Sequence, residues 1–162
     1  MKHTISALVE NKFGVLARIA GMFSGRGFNI DTLNVGPICD KKYSRITVTV
    51  KDGRNSVEQC VKQLNKLVNV IEVKDFSKVE SFVARELILV KVKADKKARS
   101  ELVEVAGLFR AKVVHVDESF LIIECTGNPN KMKAFVGMIE PYGIIDMART
   151  GNVALERSVS DD

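Results

Sequence analysis

The chain lacks the features that identify disulfide-rich, metal-binding and membrane-spanning proteins. Its 162 residues include three cysteines, Cys39, Cys60 and Cys125, which lie far apart and form no Cys-x-x-Cys pair. This spacing argues against a disulfide framework and a zinc site, and it indicates a reducing compartment. No apolar run approaches the roughly 18 residues that a membrane-spanning helix needs. Met1-Lys2-His3-Thr4 leads directly into strand-like sequence, so we expect no export signal and a cytoplasmic protein.

Motifs that indicate catalysis or nucleotide binding are also absent. The sequence has no G-x-x-x-x-G-K-[ST] loop and no G-x-G-x-x-G after a strand. Its two histidines, His3 and His115, lie in strand patterns, and neither belongs to a Ser, Cys or carboxylate arrangement typical of a triad. We interpret both as structural or surface residues. The chain is therefore predicted to contain no catalytic residue and no metal site.

The net charge of +5 suggests nucleic-acid binding, but the distribution of charge does not favour it. Lysines and arginines are scattered, and Lys41-Lys42 and Lys96-Lys97 are the adjacent pairs. In RNA-binding domains with the element order β-α-β-β-α-β, a central strand stacks bases on aromatic side chains. The strand that would have this place here, residues 44–50, contains no aromatic side chain. We predict solvated basic faces, with docking of an acidic partner protein as the alternative, and expect neither a nucleic-acid nor a membrane partner.

Hydrophobic periodicity predicts the element order β-α-β-β-α-β in the first half. Alternating apolar residues predict strands at residues 3–10, 28–36, 44–51 and 70–74. Three- and four-residue spacings predict helices at residues 14–25 and from Asn55 onward. Gly25 and Gly27 are predicted to end the first helix. The second helix is predicted to begin with a capping box from Asn55 to Glu58 and to direct Val68 inward.

The second half repeats this order. Strands are predicted at residues 87–94, 113–117, 120–125 and 144–149, with helices between them. Asn128 and Pro129 have the types expected at the start of the last helix. Residues 19–23 (IAGMF) resemble residues 105–109 (VAGLF), which supports a duplication. The predicted fold is α+β: two tandem ferredoxin-like βαββαβ domains, each an antiparallel sheet with two helices on one face.

The domain boundaries follow from these patterns. We predict a first domain at residues 1–76, a linker at 77–86, a second domain at 87–155 and a tail at 156–162. The linker is short and not rich in glycine or serine, so it should limit the relative orientations of the two domains. The tail after about Val153 is expected to fray.

The junctions on both sides of the first helix contain residues suited to a free amino acid. Asn11 and Gly14 precede this helix, and Asn29 follows it. A glycine lets N–H groups approach a carboxylate at the positive end of the helix, and asparagine oxygens accept from an ammonium. A role as ordinary turn residues remains the alternative. The equivalent positions of the second half are Lys97, Ser100 and His115. A ligand site is therefore predicted in the first half alone.

Several motifs together resemble the small, regulatory subunit of acetohydroxyacid synthase, also called acetolactate synthase. The N-x-x-G loop at residues 11–14 alone suggests an ACT domain. Its combination with R-G-F-N-I at residues 26–30 and A-R-T-G at residues 148–151 is specific to this family. Further similar stretches are residues 15–19, 33–37, 44–45, 62–68, 83–87 and 145–147. The resemblance covers about residues 2–155 and implies that the first domain is an ACT domain.

The resemblance implies a non-catalytic subunit of the enzyme that begins branched-chain amino-acid synthesis. The catalytic large subunit of that enzyme uses thiamine diphosphate, Mg2+ and FAD to condense two pyruvates, or pyruvate with 2-oxobutyrate. The small subunit raises this activity and confers feedback inhibition, usually by valine. Its ACT domains pair edge to edge into a homodimer. Two alternatives stay open, namely an ACT-domain amino-acid sensor of another enzyme and an RNA-binding module.

The resemblance also implies a valine site at the dimer interface. The loop of one protomer would face the start of the second strand of the other, and the implied residues are Asn11, Gly14, Val15, Leu16, Asn29 and Ile30. N–H groups of residues 14–16 would hold the carboxylate, and asparagine and backbone oxygens the ammonium. Phe13 departs from the small or rigid residue common at its position in the family. Leucine or isoleucine sensing is therefore an alternative.

Overall fold

The computed structural model describes residues 2–51 and 57–157 and has the predicted α+β fold. The chain divides into two compact units, one of Met1–Val83 with Gly151–Asp162 and the other of Ala84–Thr150. Each unit is an antiparallel sheet with two helices packed on one face, so the two tandem ferredoxin-like domains are confirmed. Asn55, the first residue of the predicted capping box, lies outside the described residues.

The first unit has a four-stranded sheet in the order β2-β3-β1-β4. Its elements are β1 (Lys2–Glu10), α1 (Val15–Gly25), β2 (Ile30–Pro37), β3 (Tyr43–Lys51), α2 (Val57–Leu64) and β4 (Val70–Asp75). Because side chains alternate along a strand, every second residue of the central strands faces the helices. The buried core on that face comprises Ile5, Ala7, Val9, Val15, Ile19, Phe23, Ile46, Val48, Val50, Cys60 and Leu64. β2 and β4 are left as the two edges of this sheet.

The opposite face of this sheet is polar. Thr4 and Ser6 of β1 lie opposite Thr49 and Thr47 of β3, and Thr32 of β2 lies on the other side of Thr49. Ser6, Thr47 and Thr49 are nevertheless at most 3% exposed. The centre of the outer face therefore consists of hydroxyl side chains that are buried from solvent.

α1 ends in a Schellman motif, in which Gly27 has the role predicted for it and Gly25 does not. The N–H of Phe28 donates to the carbonyl of Phe23 at 3.0 Å, and that of Gly27 donates to Ser24 at 3.2 Å. Gly27 has φ 69°, and the Phe23 and Phe28 rings meet edge to face at 6.0 Å. Gly25 lies inside the helix. The motif directs the chain into β2 immediately after Asn29.

The second unit repeats the pattern with a sheet in the order β6-β7-β5-β8. Its elements are β5 (Phe82–Lys93), α3 (Lys96–Leu108), β6 (Lys112–Val116), β7 (Phe120–Gly127), α4 (Pro129–Ile139), a short 3-10 helix (Glu140–Tyr142) and β8 (Ile144–Arg149). The Asn128 side chain accepts from the N–H of Lys131, so the predicted N-cap before Pro129 is confirmed. The large side chains of this core are 0 to 1% exposed, and Ile88, Leu102, Leu121, Ile123, Met132, Phe135 and Ile139 are among them.

Three details differ from the sequence predictions. β5 begins at Phe82, inside the predicted linker at 77–86, and the Phe82 ring packs 4.9 Å from that of Phe76. The end of the chain, expected to fray, contains β9 (Val153–Glu156), which pairs with β5. Val68 is 90% exposed, because α2 ends at Leu64 and the helical spacing no longer applies to it.

Candidate functional site

The first turn of α1 has no side-chain cap within the described residues. Gly14 is the N-cap with φ 80°, a conformation that favours glycine, and a Cβ there would meet no described atom within 4 Å. Helical bonding starts where the N–H of Arg18 donates to the Gly14 carbonyl at 3.0 Å. The N–H of Val15 donates to Lys12 at 3.3 Å. The N–H groups of residues 16 and 17 have no carbonyl four residues earlier in the helix and can bind an anion.

The corresponding helix of the second unit is closed to an anion. The Asp95 side chain accepts from the N–H of Lys97 at 3.0 Å and from that of Ala98 at 2.8 Å. A carboxylate already occupies the place that a ligand carboxylate would take at this helix end. The two helix starts are thus different in chemistry, and the one at Gly14 is accessible.

Asn11 is held by the β2–β3 connection. Its N–H donates to the Lys42 carbonyl at 2.7 Å, and its side-chain Nδ2 donates to the Lys41 carbonyl at 3.0 Å. Because the amide nitrogen is fixed to Lys41, the amide oxygen is directed away from it. Asn11 is exposed, so this oxygen is available to accept from an ammonium.

Asn69 holds the loop from the other side, in an arrangement that we call the brace, and no sequence pattern indicated this role. Its carbonyl accepts from the N–H of Glu10 at 2.9 Å. Its side-chain oxygen accepts from Arg18 at 2.7 Å, and its Nδ2 donates to the Glu10 carboxylate. Hydrogen bonds from Asn69, and next from Lys12, hold the pKa of Glu10 below its usual value. The brace ties the end of β1, the start of α1 and the start of β4 together.

The other predicted site residues lie at the opposite end of the sheet. Asn29 is exposed, and its carbonyl accepts from the N–H of Lys51 at 3.3 Å. Ile30 is half-buried and pairs with Val50, whereas Glu10 pairs with Tyr43. The eleven residues of α1 alone span about 16 Å. A single protomer therefore does not bring Asn29 and Ile30 to the loop that contains Asn11 and Gly14.

The side chains around the start of α1 differ in their exposure to solvent. Val15 is 5% exposed and belongs to the core, whereas Leu16 is 43% exposed at the start of α1. Phe13, the departure from the family pattern, is fully exposed beside the loop. A ligand at this junction would meet Leu16 and Phe13 and would reach Val15 through its backbone.

Burial and ring stacking describe the surroundings of three other potentially reactive side chains. Cys60 and Cys125 are buried and free, and burial raises the pKa of the Cys60 thiol to about 12. His115 stacks on Phe120 with ring centroids 5.6 Å apart. Among residues 2–51 and 57–157, no cluster of three His, Cys, Asp or Glu side chains could hold a metal ion. No helix in the same ranges is long and apolar enough to cross a membrane.

The fold and the open helix start define a class, an ACT domain followed by a second ferredoxin-like domain. A family model described as the AHAS small subunit-like ACT domain matches residues 5–72. A second one, described as the small subunit of acetolactate synthase, matches residues 85–158. The chain belongs to the acetolactate synthase small-subunit family.

Individual relatives agree along nearly the whole chain. The probable acetolactate synthase small subunit of Archaeoglobus fulgidus is 49% identical over 157 residues, which are 97% of this chain and 98% of that protein. The acetolactate synthase small subunit of Mycolicibacterium smegmatis is 48% identical over 155 residues, 96% and 91% of the two chains. The crystal structure of the small subunit from Thermotoga maritima superposes with a TM-score of 0.87 at 36% identity, over 98% of this chain and 99% of that one. Membership makes the chain a regulatory subunit and implies a catalytic large subunit as its partner.

Proposed function

We propose that the chain raises the activity of the acetolactate synthase catalytic subunit and makes it sensitive to feedback inhibition by valine. Membership of the small-subunit family supports the acetolactate synthase catalytic subunit as the partner. The observation that supports an amino-acid effector is the uncapped first turn of α1 next to the outward-directed oxygen of Asn11. The carboxylate of a free amino acid can bind the first-turn N–H groups, and its ammonium can donate to the Asn11 oxygen.

In this proposal valine binds with its carboxylate at the first-turn N–H groups of α1. Gly14 leaves space for the carboxylate, and Leu16 offers an exposed apolar surface to the isopropyl group. Val15 contributes its backbone, because its side chain lies in the core. The ammonium binds the Asn11 oxygen and, across a dimer interface, Asn29. Ile30 of that second copy completes the apolar wall.

The geometry of β2 supports such a dimer. β2 is an edge strand, so one row of its backbone N–H and C=O groups is unpaired in the sheet. Leu33 and Val35 on this edge are 37% and 41% exposed. If two copies pair through β2 about a twofold axis, the start of one β2 lies beside the end of the other. Asn29 of one protomer then comes to the end of the sheet where Asn11 of the other lies.

The chemistry of the reaction belongs to the catalytic subunit. We expect thiamine diphosphate, Mg2+ and FAD in that partner and none of them in this chain. The regulatory chain contributes by binding the effector and by stabilising one arrangement of the partner over another.

Reconstitution tests this function. Acetolactate formation by the purified catalytic subunit would be measured alone, with the wild-type chain, and with the Asn11→Ala/Asn29→Ala variant, each with and without valine. We expect activation by both chains and valine inhibition with the wild type alone. Asn65→Ala, at an exposed asparagine outside the predicted site residues, is the control and should behave as wild type.

Two results would contradict the proposal. An inactive or unstimulated catalytic subunit in the presence of wild-type chain would remove the activating role. Full valine sensitivity with the Asn11→Ala/Asn29→Ala variant would remove the assigned site. Parallel titrations with leucine and isoleucine decide the alternative effectors that exposed Phe13 leaves open.

A further inference from the structure

The segment that follows β8 lies against the sheet of the first unit. Gly151 is buried, with φ 75°, and a Cβ built on it would lie 2.7 Å from the Cβ of Thr32 and 3.0 Å from its Oγ1. Real Cβ atoms do not approach another atom so closely. Thr32 is on β2, on the hydroxyl-rich face away from α1 and α2. The backbone of Gly151 therefore rests directly on β2, and the contact requires glycine.

The same segment ends at the opposite edge of the sheet. Glu156 accepts from Lys74 of β4 at 3.0 Å, and the N–H of Arg157 donates to the Ser81 carbonyl at 3.0 Å. β2 and β4 are three strand spacings apart, about 14 Å, and five extended residues span about 17 Å. Residues 151–157, which we name the strap, thus cross the outer face from one edge strand to the other.

The contact between the strap and the sheet is polar. Thr32 Oγ1, Thr49 Oγ1 and Asn152 Oδ1 are buried, and none has a hydrogen-bond partner among the described residues. Ala154 is the strap's buried apolar side chain, at 3% exposure. The close approach of the Gly151 backbone to the Thr32 side chain is the contact that fixes the position of β2 at Thr32.

We propose that the strap positions the start of β2, and that Gly151 is a positioning residue for the effector site. This inference rests on the proposed function, in which Asn29 and Ile30 contact valine. The pairing of β2 with β3 shifts register between Ile30 and Thr32. A break in register changes the direction of the residues beside it, so the place of Asn29 and Ile30 depends on how the strand is held at Thr32.

Gly151→Ala tests the inference on the full chain. The new Cβ would push on Thr32 and shift β2, and we expect valine affinity, measured by calorimetry, to fall about tenfold. Gly143→Ala is the matched control, since Gly143 also has positive φ (94°) but its Cβ would meet the flexible Lys93 side chain at 3.2 Å. This control introduces backbone strain of the same kind in the second unit, and it should keep wild-type affinity for valine.

Two further variants separate positioning from loss of folding. Thr32→Gly combined with Gly151→Ala removes the clashing Cβ and should recover affinity toward that of Thr32→Gly alone. Glu156→Gln loosens the other end of the strap without changing its shape, and we expect a smaller loss of affinity in a protein that melts normally.

Hydrogen exchange provides a readout that does not depend on valine. Amides of β2 should exchange faster in Gly151→Ala than in Gly143→Ala, while those of β7 stay equal. Wild-type affinity together with unchanged β2 exchange in Gly151→Ala would overturn the inference. If the wild-type chain binds no valine, the proposed function fails, and the exchange of β2 still decides whether the strap positions this strand.

Discussion

Gly14 illustrates how a single residue opens the candidate site. It adopts φ 80°, it is the N-cap of α1, and it offers no side chain to the N–H groups of the first turn. Any residue that caps this helix would compete with a ligand carboxylate for the same donors. The identity of this residue therefore determines both the backbone path and the availability of the anion site.

Replacement of Gly14 separates these two effects. Gly14→Ala should destabilise the first unit by about 1 kcal/mol, because alanine resists the left-handed conformation. Gly14→Asn should cost less, since asparagine tolerates that conformation, and no described atom lies within 4 Å of a Cβ at this position. Urea denaturation measures both variants. Equal stability losses for the two would show that backbone conformation is not the cause.

The Glu10–Asn69 brace predicts a pH dependence. Asn69 and Lys12 lower the pKa of Glu10, so its contribution to stability is present above the unfolded pKa and is lost as pH falls through the lower, folded value. Asn69→Ala should raise the pKa of Glu10 toward its usual value, and a carboxyl-detected NMR titration measures this. An unchanged Glu10 pKa in Asn69→Ala would contradict the assigned cause, and Asn65→Ala provides the control.

Part of the candidate site could be predicted from individual residues of the sequence. Asn11 and Gly14 lie within four residues of one another at a predicted strand-to-helix junction, so local pattern was enough. The brace could not be predicted, because Asn69 meets Arg18 across 51 residues of sequence and Glu10 across 59. Asn69 alone resembles an ordinary turn asparagine, and its role depends on where the strands bring it.

Elements with strong periodicity were the ones that the sequence predicted well. α1 and β3 fall within one residue of their predicted bounds, because the apolar residues of each repeat with one period. β9 was missed, since four residues are too few for a period and its order comes from contacts such as that of Glu156 with Lys74. The start of β5 was missed for the same reason, as Phe82 is ordered by Phe76.

The helix caps predict a difference between the two units. Asp95→Ala removes two hydrogen bonds to the first turn of α3 and should destabilise the second unit by about 1 kcal/mol. Asp95→Asn keeps an oxygen at the same place and should lose only a fraction of that. Denaturation monitored by a probe in each unit measures the effect. A loss confined to the first unit would contradict the assignment of this cap.

At the scale of the whole molecule, two units of the same fold differ at the start of their first helix. Both units have the same element order. In the second unit the Asp95 side chain accepts from N–H groups of the first turn of α3, whereas Gly14 in the first unit has no side chain that could do so for α1. The sequence predicted an asymmetry but placed it at Lys97 and Ser100, which both lie inside α3, whereas the residue at the start of that helix is Asp95. How effector binding reaches the catalytic subunit cannot be predicted from sequence, because no periodicity marks a surface for another chain.

The proposed dimer gives a prediction at this scale. Val35→Lys places a charge on the exposed edge of β2, so it should weaken self-association of the purified chain by at least about tenfold. Ile71→Lys introduces the same charge on β4, at the opposite edge, where Ile71 is 55% exposed. Sedimentation velocity compares them. If the Ile71→Lys dimer dissociates and the Val35→Lys dimer stays intact, the interface lies on β4 and the proposed pairing through β2 is wrong.

The most direct test of the account is calorimetric titration of the purified chain with valine, for the wild type, Asn11→Ala and the Asn65→Ala control. The proposed valine site predicts saturable binding by the wild type and the control, and at least about a tenfold loss in Asn11→Ala, since the ammonium would lose its acceptor. Wild-type affinity in Asn11→Ala, or no binding of valine by the wild type, would contradict it.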